Sequence, residues 1–516
     1  MQIFLILDPA KLWRWHLALI DQLAASPAAR ITVIAAEHSG PISPVLDLAL
    51  RLDAAAGSRG QTPFDVLSLD DIDFAPAASQ RTPDLIVDLA ATRLPIRQPT
   101  VRTLLPLFDG VPGESHFWSH ILRGRPPVLA LYDTAGPVIP IGLPAIESPH
   151  HLRASAGTVA TRLLVGLVRA ARTATAAHTP SVAAPSSTSL PVSLAGPAAI
   201  FIARKAKDKA LRVLDRAIKT APRWAVAWRM RPTGKSQLVP GTTTLDLADW
   251  TLLPDDGARF YADPFAVANG DSIDVFVEEF PYATNRGIIS WYRILPDGRA
   301  TMPRPVLATG HHLSYPQVFD RDGETWMLPE QCASGGLILY RARRYPDDWK
   351  PVARLIDEPV HDATLFEHDG RLWITATTQG RAGARWGSSW DGLSLFSAQT
   401  LLGPWTPHPA NPVLIDVRCA RPAGALFSAN GILYRPVQDC SRAYGSALQL
   451  AQITTLNGEA FTQTVVSRLA FSRASRVLGP HTLNRVTTPV AQFEVIDLFA
   501  RPSVLRAAQQ ADVIAS

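Results

Sequence analysis

The chain has 516 residues, of which 47% are hydrophobic, and its formal net charge is +5. This length exceeds that of a typical single core, so two or more domains are expected, and the hydrophobic content excludes an intrinsically disordered protein. The modest positive charge is unevenly spread along the chain and gives no reason to expect a nucleic-acid partner.

The cysteines and the N-terminus indicate a reducing compartment. Cys332, Cys419 and Cys440 are too few and too scattered for a disulfide framework or a Cys-rich zinc site. The first residues, MQIFLILDPAKLW, lack a basic segment and are typical of a buried first strand rather than of a signal peptide. No run of about 18 apolar residues occurs, so no membrane-spanning helix is expected. We therefore expect a cytoplasmic protein.

The first 175 residues alternate strand-like and helix-like segments. Strands are predicted at 2–7, 31–36, 84–89 and 127–132, and helices at 11–25, 44–56 and 157–173. Short strands that alternate with helices predict an α/β domain with a mostly parallel sheet over residues 1–175.

A linker and a basic helix are predicted to follow this domain. Residues 176–198 are rich in Ala, Ser, Thr and Pro and contain no charged residue, which is typical of a linker. Residues 199–221 combine several Lys and Arg with Leu211, Leu214 and Ile218 at helical spacing. Two interpretations remain open. The helix is either a solvated element packed on its neighbour, or a patch that attracts anionic lipid head groups at the inner membrane face.

The second half of the chain repeats a hairpin pattern. The segments 319–326 and 366–373 each begin with Phe, turn at Asp-Gly and end with Trp, and 427–434 follows the same plan with Asn-Gly and Tyr. A fourth copy spans 265–276, and a fifth, without the Asp-Gly turn, is expected at 480–499. Asp-Gly and Asn-Gly between apolar runs are strong hairpin signals. The spacing predicts four-stranded blades, so residues 222–505 are predicted to form a five-bladed β-propeller, followed by a tail at 506–516. A β-sandwich is disfavoured by the recurrence of whole hairpins.

A propeller brings matching positions of its repeats together around one axis. The first strands place there Asp263, Tyr315, Asp362, Arg421 and His481. The ends of the second strands add Glu278, Glu279, Glu330, Gln438, Asp439 and Asp497.

Acidic residues at equivalent strand ends of several blades favour a functional site, because unpaired buried polar groups are costly. Crowded carboxylates push one another's pKa values apart, which separates an acid from a base, and an arginine in the same ring can bind an anion. His481 alone is compatible with a core histidine, which is the default, with a ligand of an axial ion, or with a hydrogen-bond partner of the substrate. No HExxH, paired-cysteine or EF-hand spacing occurs, so no dedicated metal site is expected.

The motifs YADPF, HLSYPQVF, MLPE, DATLF, RPAGALF, YRPVQDCSRAYG and GPHTLN occur in order across the propeller segment. Together they resemble the N-terminal domain family of plant glucosamine inositolphosphorylceramide transferases, which also includes stand-alone bacterial proteins. The resemblance covers roughly residues 222–500. It adds Arg442 and Tyr444 of the SRAYG motif to the expected substrate-binding residues, which are otherwise Glu279, Tyr315, Arg421, Gln438, Asp439 and His481.

The family's propeller is similar to that of arabinanase-like glycosidases, which use three axial acids. This similarity implies Asp263 as the base, Glu330 as the acid and Asp362 as the modulator, by analogy of fold. In the plant enzymes a separate glycosyltransferase domain follows, and no counterpart of it is expected in this sequence.

Residues 83–89 and 110–125 resemble the formyltransferase fold, a Rossmann-type domain that uses a folate cofactor. The catalytic Asn, the His-Pro-Ser-Leu-Leu-Pro segment and the later catalytic Asp of that fold have no match. Formyl transfer and folate are therefore not expected, and the GxGxxG fingerprint is absent too. A remodelled nucleotide-sugar pocket and a purely structural domain both remain open.

Three functions follow from these observations. The first is a glycosyltransferase that acts on a glycolipid or a cell-envelope polysaccharide, with a nucleotide-sugar donor. The second is a glycoside hydrolase of the five-bladed type, and the third is a non-catalytic carbohydrate-binding propeller. A cytoplasmic protein would rarely meet polymeric sugar, which favours the first.

Overall fold

The computed structural model describes residues 1–36, 41–55, 62–75, 82–91, 101–173, 192–218, 221–232, 241–380 and 386–506. The predicted linker at 176–198 and the predicted tail at 506–516 lie mostly outside the described residues. The described chain forms two compact units, residues 1–213 with 379–388 and residues 214–378 with 389–516. No helix among the described residues is long and apolar enough to cross a membrane.

The N-terminal unit is built on one mixed sheet with helices. Its elements, in chain order, are β1 (Gln2–Leu7), α1 (Arg14–Ala24), β2 (Arg30–Ala35), α2 (Pro44–Ala55), β3 (Phe74–Ala75), β4 (Leu85–Asp88), β5 (Arg102–Phe108), β6 (Val111–Pro112), α3 (Glu114–Arg123), β7 (Leu129–Asp133), β8 (Ile139–Gly142) and α4 (Leu152–Arg172). A further helix, α5, spans Ala195–Ile218.

The sheet has the strand order β3-β2-β1-β4-β5-β7-β8, with β6 paired to β5. The five strands β3, β2, β1, β4 and β5 are parallel to one another. The strands β6, β7 and β8 are antiparallel to the strands with which they pair. The nearly fully buried strand β1 (QIFLIL) lies at the centre, as expected of a strand covered on both faces. The prediction of an α/β unit is confirmed. The sheet is mixed, because the strands β6, β7 and β8 at one edge are antiparallel.

The second unit is a five-bladed β-propeller, as predicted. In the described part of the chain, the first complete blade is preceded by β9 (Arg223–Arg231), β10 (Gly241–Leu245) and β11 (Thr251–Leu252). The first three blades contain β12 (Arg259–Asn269), β13 (Ser272–Pro281), β14 (Ile288–Ile294) and β15 (Arg304–Leu307); β16 (Ser314–Arg321), β17 (Glu324–Glu330), β18 (Leu337–Arg344) and β19 (Asp348–Ile356); and β20 (His361–His368), β21 (Arg371–Thr377), β22 (Gly392–Ala398), β23 (Thr406–Pro407) and β24 (Leu414–Ile415).

The last two blades each include strands from the start of the unit. The fourth contains β25 (Phe427–Ala429), β26 (Ile432–Asp439), β27 (Ala447–Leu456) and β28 (Phe461–Phe471), and β10 pairs in parallel with β28. The fifth contains β29 (Leu483–Thr487) and β30 (Gln492–Ala500), completed by β9 and β11. Because β9 pairs with β30 along its whole length, the first strand of the unit closes the ring of blades.

The repeated turns form as predicted. Positive φ angles occur at Asp322 and Gly323, at Asp369 and Gly370, and at Asn430 and Gly431. Two successive residues with positive φ are the hallmark of a type I′ turn, whose twist matches that of the strands on either side.

Candidate active site

Three first strands carry the same distortion. Asp263, Tyr315 and Asp362 have φ angles of 50°, 47° and 50°. In each strand the pairing with the next strand shifts register across this residue. A positive φ is costly for a residue other than glycine, so the surrounding contacts must hold it, and such strain is typical of functional sites. The three residues therefore occupy equivalent positions, and all three side chains are buried.

The second strands add one residue opposite each distortion. Glu278 pairs with Ala262, Glu330 with Ser314 and Thr377 with His361, and each of these first-strand partners directly precedes a distorted residue. Counted from the distortions, Phe265 is equivalent to Gln317, and not to Phe319 as the aromatic repeat suggests.

This register separates two neighbouring acids of β13. Glu278 is equivalent to Glu330, whereas Glu279 forms an ion pair with Arg259 and accepts a hydrogen bond of 2.6 Å from Ser290. The sequence alone places both Glu278 and Glu279 at this strand end, and only Glu279 was expected to bind substrate. Aligning the motifs YADPF and SYPQVF on their prolines would have selected Glu278.

Asp263, His481 and Asp497 form a buried group. Nε2 of His481 lies 3.2 Å from Asp263, and Nδ1 lies 2.6 Å from Asp497. Oδ1 of Asp497 accepts the backbone N–H groups of His481 and Thr482, and Oδ2 accepts that of Asp263. Thr482 also donates to Asp263 (3.0 Å). Burial, partly offset by His481, raises the pKa of Asp263 to about 6.

A second buried group joins Asp362 to the fourth blade. Nε and Nη2 of Arg421 donate to the two oxygens of Asp362 at 2.6 and 3.0 Å, and Nε2 of Gln438 donates to the same carboxylate at 3.0 Å. Nη1 of Arg421 donates to Ser389. Burial raises the pKa of Asp362 to about 8, although Arg421 acts in the opposite direction. The two-point contact fixes the orientation of both groups.

Glu330 links the second and third blades. Oε1 lies 3.2 Å from Nδ1 of His361, and Oε2 accepts the backbone N–H of Asp362 at 2.9 Å. Burial opposes ionisation, but His361 and Arg421 outweigh it and hold the pKa of Glu330 well below its usual range. Glu330 is therefore an ionised carboxylate at neutral pH.

Glu278 is the opposite case. Burial raises its pKa well above the usual range, and the nearby carboxylates of Asp263 and Glu330 raise it further. His312 lies 3.4 Å away through Nε2, while its Nδ1 accepts the backbone N–H of Gly287 at 2.9 Å. Because Nδ1 is an acceptor, the ring proton of neutral His312 lies on Nε2 and faces Glu278. The raised pKa of Glu278 favours its protonated form next to the ionised Glu330, and such a contrast is typical of acid–base sites.

Aromatic rings lie beside the His481 group. Trp224 of the closing strand stacks on His481 at 3.9 Å, and Tyr444 packs edge-on against the same imidazole at 5.2 Å. Tyr444 also contacts Trp390, and its ring lies 4.9 Å from the guanidinium of Arg421. Sequence reasoning did not select Trp224, because no repeat signal assigns the closing strand to the last blade.

The structure places the other nominated residues differently. The hydroxyl of Tyr315 is hydrogen-bonded to Thr364 and accepts the backbone N–H of Gly424, so this ring joins blades within the core. Asp439 accepts from Ser441 and Gln449, both in its own blade. Arg442 is exposed. The structure therefore brings together Asp263, Asp362, Arg421, Gln438, Tyr444 and His481, with Glu330 held against Asp362.

Among the residues that the structure describes, two groups of side chains place possible metal-ligand atoms within 4.8 Å of one another. They are Asp263 with His481 and Asp497, and Glu330 with Cys332 and His361. In the first group the carboxylate of Asp497 already accepts three backbone N–H groups.

Part of the propeller matches a known family. Residues 252–478 match the family model described as glucosamine inositolphosphorylceramide transferase 1, N-terminal. Similar proteins are glucosamine inositolphosphorylceramide transferase 1 from Oryza sativa subsp. japonica, 36% identical over 214 residues, and from Arabidopsis thaliana, 32% identical over 232 residues. The alignments cover 41% and 44% of this chain but 28% and 30% of the relatives, so the chain spans less than a third of their length. The predicted resemblance is confirmed over this segment.

Solved structures of glycoside hydrolases give weaker matches. A family 117 glycoside hydrolase from Zobellia galactanivorans matches with a TM-score of 0.33 and 10% identity, over 53% of this chain and 90% of its own. The GH43_1 enzyme from Xanthomonas citri matches with a TM-score of 0.35 and 12% identity, over 47% and 87%. These scores support no inference about activity.

Proposed function

We propose that this protein is a carbohydrate-active enzyme, and specifically a glycosyltransferase that elongates a glycolipid or a cell-envelope polysaccharide. The observation that carries the proposal is the contrast in protonation between buried Glu278 and the ionised carboxylates near it. The plant relatives bear the name glucosamine inositolphosphorylceramide transferase 1, which supports a sugar and a glycolipid as substrates.

Glycosyl transfer needs a group that removes a proton from the attacking hydroxyl and a group that donates one to the leaving oxygen. Asp263, with a pKa of about 6, is mostly ionised at neutral pH and can accept the first proton. The raised pKa of Glu278 favours its protonated form, which can supply the second proton. Asp362, whose two oxygens are held by Arg421, is proposed to orient the sugar ring beside these two acids. These roles move the acid of the glycosidase analogy from Glu330 to Glu278.

The rings of Trp224 and Tyr444 suit the apolar face of a sugar. An aromatic ring offers a flat surface with a polar rim, and the hydrogen-bonding groups of Arg421 and Gln438 lie in the same buried network. Tyr444 and Trp224 are therefore proposed to contact the substrate, whereas Tyr315 is proposed to support the blades.

A glycoside hydrolase is the second candidate, because an acid and an ionised carboxylate are also the pair that hydrolases use. The two reactions differ in the nucleophile, which is an acceptor hydroxyl in transfer and water in hydrolysis. In a non-catalytic sugar-binding propeller, the third candidate, the protonated Glu278 would have no role.

The N-terminal unit is proposed to be a remodelled Rossmann-type, formyltransferase-like domain that holds a nucleotide-sugar donor. The parallel order β3-β2-β1-β4-β5 supports this proposal, because ligands of such sheets bind where the strand order reverses, here between β1 and β4. Folate is not part of the proposal.

The protein is further proposed to be cytoplasmic and to contact an anionic membrane surface through α5. Apolar side chains including Ile202, Leu211 and Val213 are exposed on this helix, and Lys207 and Lys209 are exposed beside them. A helix with basic and apolar side chains can lie in the head-group region of a membrane.

Calorimetric titration with a panel of sugar nucleotides, followed by product analysis with a glycolipid acceptor, tests the proposal. Transfer requires binding of at least one donor and incorporation of its sugar into lipid. Release of free sugar from a glycan without donor binding would establish the hydrolase instead. The variants Asp263→Asn and Glu278→Gln should lose turnover, and Asp271→Asn, an exposed hairpin residue, should not. A sugar-binding protein without any turnover would overturn both enzyme readings.

A further inference from the structure

The side chains of Glu330, Cys332 and His361 form a mixed group of donors that the proposed sugar chemistry does not use as a whole. One donor atom from each residue lies within 4.8 Å of the other two. The side chain of His361 is mostly buried, as is that of Glu330, and Cys332 is half-buried. From this geometry we infer that Glu330, Cys332 and His361 form a binding site for a zinc ion that bridges the second and third blades.

The donor types select the metal. A thiolate and an imidazole favour zinc over magnesium or calcium, which prefer oxygen ligands, and a carboxylate completes a set found in zinc proteins. With zinc–ligand distances near 2.0–2.1 Å, a nitrogen and an oxygen of a tetrahedral site lie about 3.3 Å apart. Nδ1 of His361 and Oε1 of Glu330 lie 3.2 Å apart. A zinc ion can therefore replace the proton that these two atoms share, with little movement of either side chain.

The surroundings hold the ligands in place. Oε2 of Glu330 accepts the backbone N–H of Asp362, so the carboxylate keeps Oε1 directed at His361. Cys332 lies in a short turn directly after β17. Gln331, which precedes it, is buried, accepts from the hydroxyl of Tyr340 and donates to the carbonyl of Ile338. Such outer contacts orient metal ligands and contribute to affinity.

Glu330 ends the second strand of one blade, Cys332 follows in the next turn, and His361 begins the first strand of the next blade. A bound ion would therefore tie two blades together and stabilise the folded propeller by mass action. Three protein ligands leave one position of a tetrahedral ion open, which is the arrangement of zinc sites that bind a further small ligand.

The test uses the full-length protein after removal of metal with a chelator. Titration with Zn²⁺ against a chromophoric chelator should give one tight site per chain, and Co²⁺ should produce the intense near-ultraviolet absorption of a cobalt–thiolate bond. The variants Cys332→Ser and His361→Ala should weaken Zn²⁺ binding by more than about 100-fold, since loss of an outer contact alone costs 10–100-fold. Zn²⁺ should raise the melting temperature of the wild type and leave that of Cys332→Ser unchanged.

Cys419→Ala is the matched control, because Cys419 is a free cysteine elsewhere in the propeller. It should keep both the affinity and the cobalt absorption. The absence of a thiolate band in the wild type would overturn the inference without reference to any variant. Zinc binding that survives Cys332→Ser but is lost in His481→Ala would overturn it too, since the ion would then lie at Asp263, His481 and Asp497. Neither result bears on sugar transfer, which the donor-binding experiment tests separately.

Discussion

Replacing Arg421 with methionine should destabilise the propeller strongly. Three nitrogens of Arg421 donate to the carboxylate of Asp362 and to Ser389, and the side chains of Arg421 and Asp362 are 7% and 3% exposed. Methionine removes all of these donors and leaves Asp362 with the amide of Gln438. Removing one partner of a buried ion pair costs about 3–5 kcal/mol, because the other group stays buried without its hydrogen-bond donors.

Urea denaturation followed by tryptophan fluorescence measures this cost as a shift of the unfolding midpoint. Arg418→Met is the control, since Arg418 pairs with Asp416 at the surface, where ion pairs contribute about 0–1 kcal/mol. Arg421→Lys should fall between the two, because it keeps the charge and loses the two-point contact. If Arg421→Met shifted the midpoint no more than Arg418→Met, the pair would contribute little, and its proposed role in fixing Asp362 would be refuted.

Three further predictions concern the acids and their neighbours. Glu278→Gln should lower the turnover of the proposed reaction by about 10²–10⁴-fold and leave sugar affinity nearly unchanged, because it removes only the transferable proton. Steady-state kinetics measures the turnover and direct binding measures the affinity, and turnover that persisted would contradict the prediction. Gly287→Ala should destabilise the fold by about 1–3 kcal/mol in the same urea assay, since a Cβ there would lie 2.5 Å from the carbonyl oxygen of Leu313 and 2.9 Å from the carboxylate of Glu278. Gly310→Ala is the control, because a Cβ at that position meets no atom within 4 Å and should leave the stability unchanged. Asp263→Asn should raise the melting temperature above that of the wild type at pH 7.5. The reason is that folding raises the pKa of the Asp263 carboxyl to about 6, so the stability of the wild type falls as the pH rises from about 4 to about 6. The advantage of the variant should vanish at pH 4, and an equal advantage at both pH values would show that charge is not the cause.

The sequence predicts the propeller well because its strongest local signals repeat. Asp322-Gly323 and Asp369-Gly370 demand positive φ angles and lie between apolar runs, so each fixes one hairpin without reference to the rest of the chain. The pairing of β9 with β30 has no such signal, because it joins segments more than 250 residues apart. The formyltransferase-like identity of the N-terminal unit stays a prediction for a similar reason, since its motifs are short and incomplete.

The sequence predicts which repeat positions line the site, but it does not predict every residue of the site. Asp263 and Asp362 precede the same kind of apolar strand segment and are found by alignment alone. Glu278 and Glu279 are both acidic and adjacent, and only the register of β12 against β13 shows which one occupies the position equivalent to Glu330 of the next blade. A strand reverses the direction of its side chains at every residue, so an error of a single residue in the register exchanges Glu278 with the ion-paired Glu279.

Ring closure and the site depend on the same strand. Trp224 lies on β9, which pairs with β30, and its ring stacks on His481, which contacts the proposed base Asp263. Two roles of Trp224 can therefore be distinguished. If it served ring closure alone, Trp224→Leu would keep apolar packing against Phe499, and sugar affinity would follow stability. If the ring forms part of the sugar surface, the same variant loses affinity at temperatures where it remains fully folded.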